Sequence, residues 1–166
     1  MRVMRFLSPA VVLLALAACA APPQPSSFDI VSRAPAFGGA VFEGGGAYET
    51  LTAIAHTAGG DAEVVILRPA DPAKGSRVLL VEAAGGEGRL LPRMANDGDA
   101  RFDRADSAGN GFTMRRGHTL AFVGGGPEQL RDVAAVLKAE LRPELTLAVG
   151  VGQGGRTLRD MIRQGL

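Results

Sequence analysis

Between an apolar run, Leu145 to Val151, and a helical pattern that starts at Thr157 lies Gly150-Val151-Gly152-Gln153-Gly154-Gly155-Arg156. Small residues two positions either side of a central residue, at a strand-to-helix turn, have the layout G-x-S-x-G of a nucleophile elbow. In such an elbow a strained turn lifts a serine hydroxyl out toward an acyl carbon. Here the central position is Gly152, which has no atom able to attack a carbonyl. The same residues also read as Gly150-x-Gly152-x-x-Gly155, the spacing that lets a pyrophosphate approach a helix N-terminus. That alternative needs an acidic residue about 20 positions on, where this sequence has none, so no cofactor is expected. A third reading has the glycines serving only to let the helix pack closely on the strand.

The other candidate for chemistry is Cys19, the single cysteine. Arg2 and Arg5, the apolar run from Ala10 to Ala18 and the small residues that follow are laid out as a secretory signal. The apolar run is too short to span a bilayer. Leu16-Ala17-Ala18-Cys19 is similar to a bacterial lipobox, with cleavage before the cysteine and acylation of its thiol. The expectation is residues 1–18 as signal peptide, 19–36 as a lipid-anchored flexible tether rich in Pro, Ala and Ser, and 37–166 as the folded domain. The implied place is the periplasmic face of a bacterial outer membrane, held through Cys19. Acylation would leave no thiol for a disulfide, a metal or redox chemistry. Arg2 and Arg5 would leave with the signal, taking the formal net charge from +1 to about −1. That charge gives no footprint for nucleic acid, and with no tryptophan and one tyrosine there is no stacking platform for bases.

Several further residues are read as structural. Gly44-Gly45-Gly46-Ala47 has the glycines of an oxyanion loop but not its basic residue, and is expected to be a hairpin turn. Asp97, Asp99, Asp103 and Asp106 are interleaved with Arg101 and Arg104, without the spacing of a calcium loop, and read as solvated. His56 and His118 each stand alone in the sequence, too few for zinc.

The elements that must position the turn follow from periodicity. Thr52 to Thr57 and Ala62 to Arg68, joined by Gly59-Gly60-Asp61, predict a hairpin. Arg77 to Glu82, His118 to Val123 and Leu145 to Val151 are apolar on both faces, as strands of a parallel sheet are. Pro127 to Leu141 places Leu130, Val133, Ala134, Leu137 and Leu141 at helical spacing, and Thr157 to Leu166 predicts a second helix with Leu158, Met161 and Ile162 on one face. Gly85 to Gly117 is expected to be a long polar loop. Alternation of strand and helix predicts an α/β fold.

Four blocks carry a resemblance: Tyr48-Glu49-Thr50-Leu51-Thr52; Ile66 to Pro72 (ILRPADP); Ala108 to Thr119 (AGNGFTMRRGHT); and Val151 to Asp160 (VGQGGRTLRD). In this order they are similar to large bacterial α/β-hydrolase domain-containing proteins, over about Phe37 to Leu166. The resemblance implies an incomplete hydrolase-like, mainly parallel sheet with flanking helices and an N-terminal β-hairpin. It implies a serine esterase whose nucleophile position is Gly152. It also implies an oxyanion hole from the N–H of Gln153 and, on the loop after an earlier strand, from Ala84 or Gly85. This sequence departs from the family in three respects: the missing hydroxyl at 152, the absence of any histidine after it, and the abbreviated loop Gly124-Gly125-Gly126-Pro127-Glu128. The chain is therefore expected to be a degenerate, non-catalytic esterase-like lipoprotein. The alternative is a binding module that uses a residual pocket or an open sheet edge at Leu145 to Val151, with a homodimer through that edge as the expected partner.

Overall fold

The computed structural model of the chain describes residues 27–83 and 111–166, and they form one sheet with helices. Seven strands occur in chain order: β1 (Ser27–Pro35), β2 (Val41–Phe42), β3 (Gly46–Thr57), β4 (Gly60–Pro69), β5 (Val78–Ala83), β6 (Thr119–Val123) and β7 (Leu145–Val149). Three α-helices accompany them: α1 (Phe112–Arg115), α2 (Pro127–Leu141) and α3 (Gln153–Arg163). The strand order is β1-β3-β4-β6-β5-β7, with β2 paired to β3. Cys19, Ala84, Gly85 and Asp97 to Asp106 lie outside the described residues.

The expected mainly parallel, hydrolase-like sheet is corrected by these pairings. β1, β2 and β4 all run antiparallel to β3, and β4 runs antiparallel to β6. Only β5 makes parallel pairs, with β6 and with β7. The three strands read as parallel do form the parallel part. The sheet is predominantly antiparallel because the hairpin, which pairs Tyr48 with Pro69 at one end and Thr57 with Gly60 at the other, is joined antiparallel by β1 and β2 on one side and by β6 on the other. A second correction concerns the tether. Strand β1 starts at Ser27, ten positions before Phe37, and pairs along β3 from Ser27 opposite His56 to Pro35 opposite Glu49. It is an edge strand, mostly exposed, whose apolar residues Phe28, Ile30 and Val31 do not alternate regularly with polar ones.

One face of the sheet is covered by α2 and α3. Leu51, Ala53 and Ala55 alternate along β3 toward this side, and with Val64, Ile66, Leu79, Val81, Ala121 and Val123 they form a core that receives Leu130, Val133, Val136 and Leu137 of α2. Burying each of those four side chains contributes about 1.5–3 kcal/mol of gross hydrophobic stabilisation. Alanines on β3 leave room for the helix, and Pro127 fits the first turn of α2, where its missing N–H has no intrahelical acceptor to lose. Leu158 and Met161 of α3 pack against the edge of the same core.

The opposite face carries a smaller cluster of Phe37, Tyr48, Leu67, Met114, Leu120 and Phe122. Phe42 joins Phe37 and Tyr48 edge-on, with ring centroids 5.5 and 5.9 Å apart. The buried Tyr48 hydroxyl donates to the His118 carbonyl at 2.9 Å, and burial raises its pKa well above the usual phenol range. The glycine-rich stretch at 44–46 is the β2–β3 turn, as expected, and Gly45 lies against the Met114 carbonyl too closely for any Cβ. Tyr48 thus pairs with Pro69 along the hairpin and reaches, through its hydroxyl, the turn that ends at His118.

Candidate functional site

The turn singled out in the sequence joins β7 to α3. Gly154 N–H donates to the Val151 carbonyl at 3.0 Å, and Gly152 between them has φ 57° and ψ −118°. These values place Gly152 at the first central position of a type II′ turn, where φ is positive and glycine is favoured. Arg156 N–H then donates to the Gly152 carbonyl at 3.2 Å and α3 begins.

The three glycines of the elbow pattern are required for different reasons. A Cβ on Gly150 would come within 2.6 Å of the Gly154 carbonyl carbon, and a Cβ on Gly154 would overlap the Ala83 carbonyl at the end of β5. Both are close-approach positions that a larger residue cannot occupy without moving backbone. A Cβ on Gly152 would meet nothing within 4 Å. The position that would carry a nucleophile is thus strained in backbone but open in space. Gly155 also packs against Gly150, so the glycines of the dinucleotide spacing each have a local cause without a ligand.

Gln153 follows as the first residue of α3, and the amides of a first helical turn lack intrahelical acceptors. Its side chain accepts from Arg156 Nε at 3.1 Å, and its carbonyl accepts from the Thr157 hydroxyl at 3.2 Å. Gln153 is therefore placed where an oxyanion donor stands relative to an elbow. Ala84 and Gly85, the other expected donors, directly follow Ala83, but they lie outside the described residues.

Neither histidine is brought to the turn. His118 stands at the start of β6, and the parallel register puts it at the end of the sheet opposite Gly150. A five-residue strand separates the two ends by roughly 16 Å. His56 lies at the same end as the turn, since Thr57 pairs with Gly60, Val64 with Val123 and Ala83 with Val123. Four strand spacings, from β3 through β4, β6 and β5 to β7, nevertheless separate them by about 19 Å. No described imidazole can take a proton at residue 152.

Both histidines have partners that the sequence does not reveal. His118 Nδ1 lies 2.8 Å from Ser76 Oγ, which also accepts from the Val78 N–H at 3.3 Å and donates to the Gly117 carbonyl at 3.2 Å. Ser76 N–H donates to the Gly117 carbonyl at 2.9 Å, so this serine-histidine pair ties the loop before β5 to the turn before β6. His56 lies between two carboxylates, with Nδ1 2.8 Å from Asp61 Oδ1 and Nε2 3.1 Å from Asp29 Oδ2. The hydrogen bonds to Asp61 and then Asp29 raise its pKa, whereas burial and then the Arg116 charge lower that of His118.

The two shifts have opposite signs in stability. The His56 contribution is complete below its ordinary value of 6.5 and is lost as pH rises through the raised pKa. That of His118 is complete above 6.5 and is lost as pH falls toward the lowered one. A proton NMR titration of the two imidazoles should give midpoints on either side of 6.5, His56 above, and Asp29→Asn with Asp61→Asn should bring His56 back. Coincident midpoints would contradict the geometry.

Among the described residues no group of three or more His, Cys, Asp or Glu is arranged to hold a metal ion, and no helix is long and apolar enough to cross a membrane. Comparison with protein families, with curated proteins and with solved structures finds no match to this chain.

Proposed function

We propose that this chain is a non-catalytic, esterase-like lipoprotein, held to a membrane through Cys19, that keeps the turn of a nucleophile elbow without the nucleophile. The observation that carries the reading is the contrast within the turn. Gly150 and Gly154 are sterically fixed, whereas Gly152 sits at φ 57° with open space where a side chain would project. An elbow needs this combination, since the reacting atom must stand clear of a tightly packed strand-helix junction. Chemistry also needs a base within about 3 Å of the nucleophile, and the described histidines are far outside that reach.

The purified chain should therefore neither take up a fluorophosphonate probe nor release p-nitrophenol from short-chain esters. Gly152→Ser should fold, lose about 1–3 kcal/mol to the positive φ, and still hydrolyse nothing. Covalent labelling of the wild-type chain, located on its own residues by mass spectrometry, would overturn the proposal. The anchor is tested separately. Intact mass of the membrane-extracted protein should show an N-terminal Cys19 carrying acyl chains, and a soluble, unprocessed precursor would remove that part.

A second reading, a binding role, is favoured by one observation: β7 lies at the edge of the described sheet with Leu145 and Leu147 about half exposed.

A further inference from the structure

The two edges of the sheet are built differently. β1 carries Asp29, Arg33 and Pro35, and its register slips between Ile30 and Ser32. Charges, proline and a bulge are the features by which an exposed edge avoids pairing with another strand. β7, Leu145-Thr146-Leu147-Ala148-Val149, has none of them. Among the described residues it pairs with β5 alone, in unbroken parallel register from Leu145 to Val149. Leu145 is 48% and Leu147 47% exposed, and Val151 and Ile162, which follow β7 in the turn and in α3, are 45% and 75% exposed. β1 also exposes apolar side chains, Ile30 and Val31, but there the charges, the proline and the bulge stand beside them.

We infer that β7 is the interface of a two-fold homodimer, in which the strand pairs antiparallel with β7 of a second copy about an axis at Leu147. The sequence of the strand is self-complementary in that register. Leu145 comes opposite Val149, Leu147 opposite itself and Thr146 opposite Ala148, so large apolar residues continue one face and small ones the other. The charges agree as well. The same register sets Glu144, 66% exposed in its side chain, beside Gly150 of the other copy, where α3 presents its N-terminal turn and Arg156. Glu144 keeps Arg77 on its own side, 2.8 Å away, so it enters the contact already oriented.

A five-residue strand covers a few hundred Å² on each copy, against about 800 Å² per partner in a standard stable interface. The dimer is therefore reversible and forms at micromolar concentration. It requires no chemistry at Gly152 and stands apart from the proposed loss of catalysis.

Sedimentation velocity on residues 19–166, expressed without the signal segment and carrying Cys19→Ser so that neither acyl groups nor a thiol associate, tests the inference. From roughly 1 to 300 μM the protein should pass from monomer to dimer, with a dissociation constant on the order of 10–100 μM. Leu147→Lys, at an exposed position, should weaken association at least about tenfold while leaving the thermal midpoint nearly unchanged. Glu144→Arg and Arg156→Glu should each weaken it several-fold, and together restore it. A monomer at every concentration overturns the inference, and so does a dimer indifferent to Leu147→Lys or a charge swap without rescue. A monomer whose β7 amides resist hydrogen exchange would place another segment of the same chain on this edge, and would overturn it equally.

Discussion

Replacing Gly154 by alanine is expected to lower the stability of the fold by about 3 kcal/mol or more, at the upper end of what a single added methyl group does. The added Cβ would overlap the Ala83 carbonyl oxygen, which is backbone in the strand paired on both sides by β6 and β7. No rotamer relieves such a clash. Either α3 lifts away from the sheet, exposing Leu158 and Met161, or β5 shifts and strains its neighbours. Gly124→Ala is the control, since nothing lies within 4 Å of its added Cβ, and it should change stability by no more than about 0.5 kcal/mol. Urea unfolding of the two variants decides the matter. Equal midpoints would mean that the junction of α3 with β5 is looser than described, and would remove the steric basis for the glycines at 150 and 154.

The second large effect is expected at Glu49, a carboxylate buried on β3 between two cations. Arg68 Nε donates to Oε1 at 2.9 Å from the neighbouring β4, and Arg33 of β1 approaches Oε2 at 3.4 Å. Glu49→Ala would leave Arg68 without its partner, while the register still holds it opposite position 49. Breaking a fully buried pair costs about 3–5 kcal/mol. Arg68 keeps some contact with water and Arg33 is mostly exposed, so about 2 kcal/mol is the expected loss here. Glu49→Gln, which retains an acceptor, should fall between the wild type and alanine. A loss below about 0.5 kcal/mol for alanine would show that water already screens the cluster. The same variant should loosen the Pro35 end of β1, because Arg33 is one of its two charged ties to β3, the other being Asp29 with His56.

The elements legible in the sequence are those whose apolar pattern is set by burial on one or both faces. The predicted and observed boundaries of α2 coincide, because Pro127 and the spacing of Leu130, Val133 and Leu137 mark them, although Val136 is buried and Ala134 only partly. The parallel trio β5, β6 and β7 follows from unbroken apolar runs. The rest is hidden for physical reasons. Glu49 interrupts the alternation of β3 because its partners, Arg33 and Arg68, come from other strands, and no local pattern announces an interior ion cluster. β1 has the composition of a tether because an edge strand is held by backbone hydrogen bonds, which its side chains do not reveal. α3 starts four residues earlier than its periodicity predicts, since Gly154 and Gly155 read as breakers although their helical place is imposed by close packing on Ala83 and Gly150.

At the candidate site the turn itself is legible and its environment is not. Spacing alone identifies Gly150, Gly152 and Gly154, whereas the distinction between crowded flanks and an open centre exists only in three dimensions. Likewise His118 and Ser76 stand 42 positions apart in sequence, and only the adjacency of the loops that lead into β5 and β6 makes them a pair.

The place where β1 begins has a geometric consequence for a chain fastened at Cys19. Ser27 pairs with His56, so the first described residue emerges beside the β3–β4 turn, at the end of the sheet that also holds Val123, Ala83 and Gly150. Eight residue steps separate Cys19 from Ser27, a leash of at most about 28 Å when fully drawn out. If the proposed anchor at Cys19 holds, the end of the sheet within reach of the lipid headgroups is the one that carries the Gly150–Gly155 turn, and the loops before β5 and β6 lie at the far end.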